Sequence, residues 1–186
     1  MNKIESIKVV AIPDTNPDIT CFGEYTDDIG PGVVVRHYGE FYEKIPTEME
    51  RDYDGKFMGK AEPWIPSKGR EYRGFRPCAG DEEVGTKEYY EYGMLGYERR
   101  EGLNNGDWYF LGIMAEAEVS YEVVSGDRRL ETLISGGLWG IESDSGHYLE
   151  EVKKAELADL KQHLEKFNVD TSNWDELVKD LEIEYK

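Results

Sequence analysis

The chain has 186 residues, a length that fits one domain with a proper core. It carries 40 acidic against 22 basic residues, a formal net charge of −18. That charge argues against docking on a nucleic-acid backbone or an anionic membrane, because both would repel it. Thirteen Tyr and four Trp exclude a disordered chain, and 20 Gly point to turns and strands rather than to a helical bundle.

The acids are spread along the chain and form no tail, so they serve either plain solubility or a basic partner. Cys21 and Cys78 are far apart and make neither a disulfide framework nor a zinc knuckle. The opening residues lack the apolar stretch of a secretory signal, and no run reaches the ~18–20 apolar residues of a membrane span. A cytoplasmic protein is expected.

In chain order, residues 4–12 read as a first strand ending at Pro13, and 13–18 as a turn. Residues 19–25 read as a second strand, 26–32 as a turn holding Asp27 and Asp28, and 33–43 as a third strand. Residues 44–106 lose periodicity and read as an elaborated insertion ordered by its aromatics, with a short helix at 87–99 broken by Gly93 and Gly96. Residues 107–124 form the strongest strand. Ala115, Ala117, Val119 and Tyr121 alternate there with Glu116, Glu118, Ser120 and Glu122, giving one apolar and one carboxylate face. Ser125-Gly126-Asp127 makes a hairpin turn, and 128–141 return as the partner strand, where Gly136-Gly137 suggest a bulge or a close backbone approach.

A helix follows from Tyr148 to about Phe167. Its apolar stripe is Leu149, Val152, Leu157, Leu160, Leu164 and Phe167, its N-cap Asp144 or Ser145, and Glu150 and Lys154 form an i,i+4 pair. A second helix is expected over 173–183, capped by Ser172 with Asp175 and burying Trp174, Leu177, Val178 and Leu181. The expected fold is α+β: one domain over 1–186, with an antiparallel sheet of about five strands and two C-terminal helices, the 148–186 segment, packed on one face. The long irregular insertion is 44–106.

The chemistry-bearing residues are sparse. His37, His147 and His163 stand in no HxH, HExxH or HxE pattern, so no histidine metal site is expected. Cys21 reads as a buried thiol in an apolar strand, and Cys78 as a loop thiol after Pro77, the better candidate for reactivity although nothing nearby in sequence activates it. There is no GxSxG, P-loop or GxGxxG. No catalytic residue, metal or cofactor is expected. Glu116 and Glu118, with Glu122, share one strand face, and Glu142 and Asp144 flank Ser143. These carboxylates give an alternative reading as a metal-using enzyme, beside the plainer one of solvent-facing acids.

Two stretches, 107–119 and 134–160, are similar to a family of small proteins of bacteriophages and mobile elements. The matching motifs are Gly106-Asp107-Trp108, Ala115 to Glu118, and Gly137 to Ser145. The resemblance covers roughly the C-terminal 40% of the chain strongly. It implies a mobile-element protein acting in a bacterial cytoplasm and conveys context rather than chemistry. By analogy with such proteins, the expected function is an acidic inhibitor of host defence, of the anti-restriction or anti-CRISPR kind, that mimics nucleic acid. Its partner is a protein with a basic surface, and it contacts neither nucleic acid nor membrane directly. The expected contacts are Asp81, Glu82, Glu83, Glu88, Glu91, Glu116, Glu118, Glu142, Asp144, Glu150 and Glu151, with Tyr89, Tyr90 and Tyr92 as anchors. A phage accessory or structural protein with no host target is the remaining alternative. A monomer and a small homo-oligomer are both compatible with the sequence.

Overall fold

Long-range pairing joins the N-terminal strand, rich in Ile and Val, to strands from the second half of the chain. The computed structural model describes residues 2–27, 31–38, 41–44, 61–63, 74–78, 80–123 and 126–186, with the side chains of 36–44 and 61–63 excepted. It is mixed α+β and divides into two compact units, Met1–Pro17 with Tyr109–Lys186, and Asp18–Trp108. The second unit takes in the expected second and third strands together with the expected insertion. Much of 44–106, the turn residue Asp28 and the hairpin residue Ser125 lie outside the described residues.

In the first unit, β1 (Asn2–Pro13) runs antiparallel to β7 (Phe110–Glu122), with a register shift between Ile4 and Ser6. The period-two pattern of β7 is realised. Ile113, Ala115, Ala117 and Val119 are buried on one face, while on the other Glu118 is exposed, Glu116 is half-buried and Ser120 is buried. The partner stretch is two strands, β8 (Arg128–Ile134) and β9 (Leu138–Glu142), both antiparallel to β7. Ile134 pairs with Glu116 and Leu138 with Ile113. Residues 135–137 therefore oppose only 114 and 115, which is the bulge the glycine pair foretells.

α2 (His147–Lys166) covers one face of this sheet, the inner face. Val152, Leu157, Leu160 and Leu164 join Ile7, Val9, Leu111, Ile113 and Trp174 in the core. Its N-cap is Gly146 rather than Asp144 or Ser145, and the Ser145 hydroxyl instead donates to the Glu142 carbonyl at 2.6 Å. Phe167 lies beyond the helix and is exposed, so it does not extend the stripe.

The sheet is not wholly antiparallel. Short β10 (Val169–Asp170) and β11 (Ile183–Tyr185) both pair with β1 in parallel. The expected 173–183 helix is only α3 (Trp174–Val178), with Asn173 at its N-cap and no side-chain capping bond. The Ser172 amide donates to Asp170 Oδ1 instead. The chain then leaves the helix so that Ile183–Tyr185 can add to β1, closed by the Lys186 amide on the Ala11 carbonyl at 3.0 Å.

In the second unit, Asp18 Oδ1 accepts from the amide and hydroxyl of Thr20 and starts a 3-10 turn over Thr20–Phe22. That local competition shortens the expected second strand to β2 (Gly23–Thr26). The expected third strand is a pair, β3 (Val35–Tyr38) and β4 (Phe41–Lys44). With β5 (Ala61–Pro63) and β6 (Gly74–Pro77) they form a five-stranded sheet in the order β2-β6-β3-β4-β5. α1 (Lys87–Asn105) packs on it through Tyr89, Tyr90, Met94 and Tyr97 against Val34, Val35 and Phe75. Phase and packing also explain why Gly93 and Gly96 do not break this helix. A Cβ on Gly93 would stand 2.7 Å from Val34 and 2.8 Å from Pro77, and one on Gly96 would stand 2.7 Å from the Phe22 carbonyl. The glycines let helix and sheet approach, and packing outweighs their roughly 1 kcal/mol propensity cost. No helix among the described residues is long and apolar enough to cross a membrane.

Candidate binding surfaces

The turn before α1 carries Asp81, Glu82 and Glu83, all exposed. Thr86 caps the helix: its hydroxyl accepts from the Tyr89 amide at 3.2 Å and donates to the Glu83 carbonyl at 2.7 Å. The cap fixes the turn to the helix and brings Glu88 into the first turn, where the helix dipole favours an acid. Glu91 follows one turn on and pairs with Lys87 at 3.2 Å. Both partners are half-exposed, and an i,i+4 surface pair contributes only about 0.3–0.5 kcal/mol. Tyr92 and Leu95 stand out from the same helix, 58% and 60% exposed. This surface therefore combines five exposed carboxylates with two apolar side chains on a capped helix.

Two expected anchors are corrected. Tyr89 and Tyr90 are buried, with the Tyr89 hydroxyl donating to the Gly32 carbonyl at 2.7 Å and the two rings edge-to-face at 5.5 Å. They belong to the core of the second unit. Burial raises the Tyr89 pKa.

The carboxylates of β7 are largely engaged. Glu116 accepts from Lys8 Nζ at 2.9 Å and lies 3.6 Å from Lys186 Nζ, with its side chain only 16% exposed. The hydrogen bond from Lys8 holds its pKa below the usual carboxylate value, against an opposing effect of burial. Glu116 is thus a neutralised partner within the sheet and not an open contact. Glu118 remains exposed and accepts from the Ser6 hydroxyl at 3.0 Å.

Glu142 is half-buried at the end of β9, and Asp144 is exposed in the turn that follows. Glu150 pairs with Lys153 at 2.5 Å rather than with Lys154, because Lys153 also donates to the Leu181 carbonyl at 3.0 Å and is held there. Glu151 meets His147 at 3.4 Å. Cys21 is exposed rather than buried, since it lies in the 3-10 turn, and Cys78 is exposed too. Among the described residues, no group of three or more His, Cys, Asp or Glu is arranged to hold a metal ion.

Three features were not foreseen from the sequence. On the inner face, Glu156 and Asp159 of α2 grip the bulge. Glu156 Oε2 accepts from Ser135 Oγ at 2.5 Å and from the Gly137 amide at 2.9 Å, and Asp159 Oδ2 accepts from the Gly136 amide at 2.9 Å. Near the far end of α2, a groove of about 420 Å³ runs past Val119, Leu133, Val169 and Phe167, with the Tyr121 hydroxyl donating to Glu131 at 2.5 Å at its polar side. On the opposite, outer face, Trp139 lies over Gly112, half-exposed. The sequence signals for these were the paired glycines and the Gly at 112 within the strand Phe110–Glu122.

The chain matches no protein-family model, no curated protein and no solved structure.

Proposed function

We propose that this chain is an acidic binding protein of a phage or mobile element, an inhibitor that occupies the basic nucleic-acid groove of a host defence complex of the restriction or CRISPR kind. One observation carries the reading: Asp81, Glu82, Glu83, Glu88 and Glu91 are all exposed around the start of one capped helix, where Lys87 pairs with Glu91. Carboxylates held on a rigid element can stand where phosphates stand, and a net charge of −18 steers the encounter with a Lys/Arg-lined groove. Tyr92 and Leu95 supply the apolar anchors, since aromatic side chains carry much of the energy at interface centres. Of the expected contacts in unit one, Glu118, Asp144, Glu150 and Glu151 are exposed and add to the field, while Glu116 is already neutralised by lysine.

The test is affinity capture from bacterial lysate at low salt with elution along a salt gradient. The expected result is a nuclease or other nucleic-acid-binding component that elutes as salt rises and is displaced by duplex DNA. Retained proteins that duplex DNA does not displace contradict the mimicry.

A further inference from the structure

β8 is an edge strand of the first unit's sheet, and among the described residues it pairs only with β7. Every residue of Arg128–Ile134 except Leu133 is exposed, with Leu130 at 64%. An edge of this length presents unpaired amides and carbonyls and is a template for another strand. Two backbone bonds fix its phase. The Ser135 amide donates to the Ala115 carbonyl, and the Val123 amide donates to the Asp127 carbonyl. Odd-numbered residues therefore turn their polar backbone towards β7, and Arg128, Leu130 and Thr132 turn theirs outwards. Beyond them the edge is already closed by α2. His163 Nδ1 meets the outward carbonyl of Ile134 at 3.2 Å, and Asp159 takes the amide of Gly136.

We infer that two copies of this chain pair β8 with β8, antiparallel, about a two-fold axis at Leu130. The strand's own sequence selects the register. An axis at Glu131 sets Glu131 against Glu131, and an axis at Arg129 sets Arg129 against Arg129, both penalised directly across a ladder. An axis at Leu130 sets Arg129 opposite Glu131 twice and Leu130 opposite itself. It also brings the outward groups of Arg128, Leu130 and Thr132 into hydrogen-bonded pairs, Arg128 with Thr132 and Leu130 with Leu130. The open stretch and the self-complementary stretch coincide. Arg128 and Arg129 are adjacent cations on a chain of net charge −18, placed on an edge strand where a second copy needs them. An isologous contact of this kind closes after two copies, which limits the assembly to a dimer.

The test is sedimentation equilibrium of the full chain over a range of concentrations at physiological salt, with circular dichroism as the check on folding. The wild type is expected to dimerise. Arg129→Glu, which sets like charges opposite each other twice, should raise the dimer dissociation constant about ten-fold or more, and Arg129→Glu with Glu131→Arg should restore it. Leu130→Pro removes an amide that faces outwards and so leaves the ladder to β7 whole, yet it should yield a monomer. A wild type that stays monomeric at high concentration overturns the inference. So does a dimer that survives both Arg129→Glu and Leu130→Pro unchanged.

Discussion

Ser135 Oγ donates to Glu156 Oε2 at 2.5 Å, which ties the bulge at the sheet's edge to the helix that covers its inner face. The same hydroxyl accepts from the Ala115 amide at 2.9 Å, so one buried side chain replaces the ladder partner that the bulge removes. The bulge is therefore a joint, held by α2 through Glu156 and Asp159.

Ser135→Ala leaves the buried Ala115 amide without its acceptor. A buried unsatisfied group costs about 1–3 kcal/mol, and the loss should appear in urea unfolding as a lower midpoint with an unchanged slope. A change below about 0.5 kcal/mol would mean that the joint is not held by this bond.

Gly112 and Trp139 make a second coupled pair, on the outer face. A Cβ on Gly112 would stand 2.4 Å from Trp139 Cε3, so Gly112→Ala must push the ring aside. In the wild type it should destabilise, and in a Trp139→Ala background it should be neutral or better, since glycine disfavours a strand. The coupling energy from the double-mutant cycle should be about 1–2 kcal/mol. Additive effects within ~0.3 kcal/mol would show that the ring does not rest on Gly112.

The pH dependence follows from Glu116. Its folded pKa is depressed by the bond from Lys8, so its contribution is present above the ordinary carboxylate pKa and is lost as pH falls through the lower folded value. Glu116→Gln should destabilise modestly at neutral pH, by about 1 kcal/mol or less, and the gap between variant and wild type should close in acid. Thermal melts across pH 2 to 7 read this directly. A gap that widens towards acid would carry the wrong sign for a carboxylate stabilised by lysine.

How far the sequence could be read depended on how local each cause was. The alternation in β7 and the glycine pair at the bulge are local patterns, and both reappear in the structure. The apolar stripe of α2 was equally plain, though its cap was not. Gly93 and Gly96 looked like helix breakers because their partners, Val34, Pro77 and Phe22, lie far away in the chain. The same distance hid β11. Leu177, Val178 and Leu181 suit a helix, and only pairing with Val9, Val10 and Ala11 makes Ile183–Tyr185 a strand.

The candidate surface divides in the same way. The exposure of Asp81–Glu83 in a turn could be read from the sequence, as could that of Glu88 and Glu91. Which of three neighbouring tyrosines faces outwards could not, since the glycine contacts set the phase of α1 and leave only Tyr92 in solvent. Nor could the neutralisation of Glu116, whose lysines come from opposite ends of the chain.

The most direct test of the proposed function is the salt dependence of affinity for the captured partner, measured for the wild type and for a variant with Asp81→Asn, Glu82→Gln, Glu83→Gln, Glu88→Gln and Glu91→Gln. These positions are exposed, so the fold should survive. The account predicts that wild-type affinity falls steeply as salt rises, and that the variant binds more weakly with a shallower dependence. Equal affinities and equal slopes for the two proteins would contradict it.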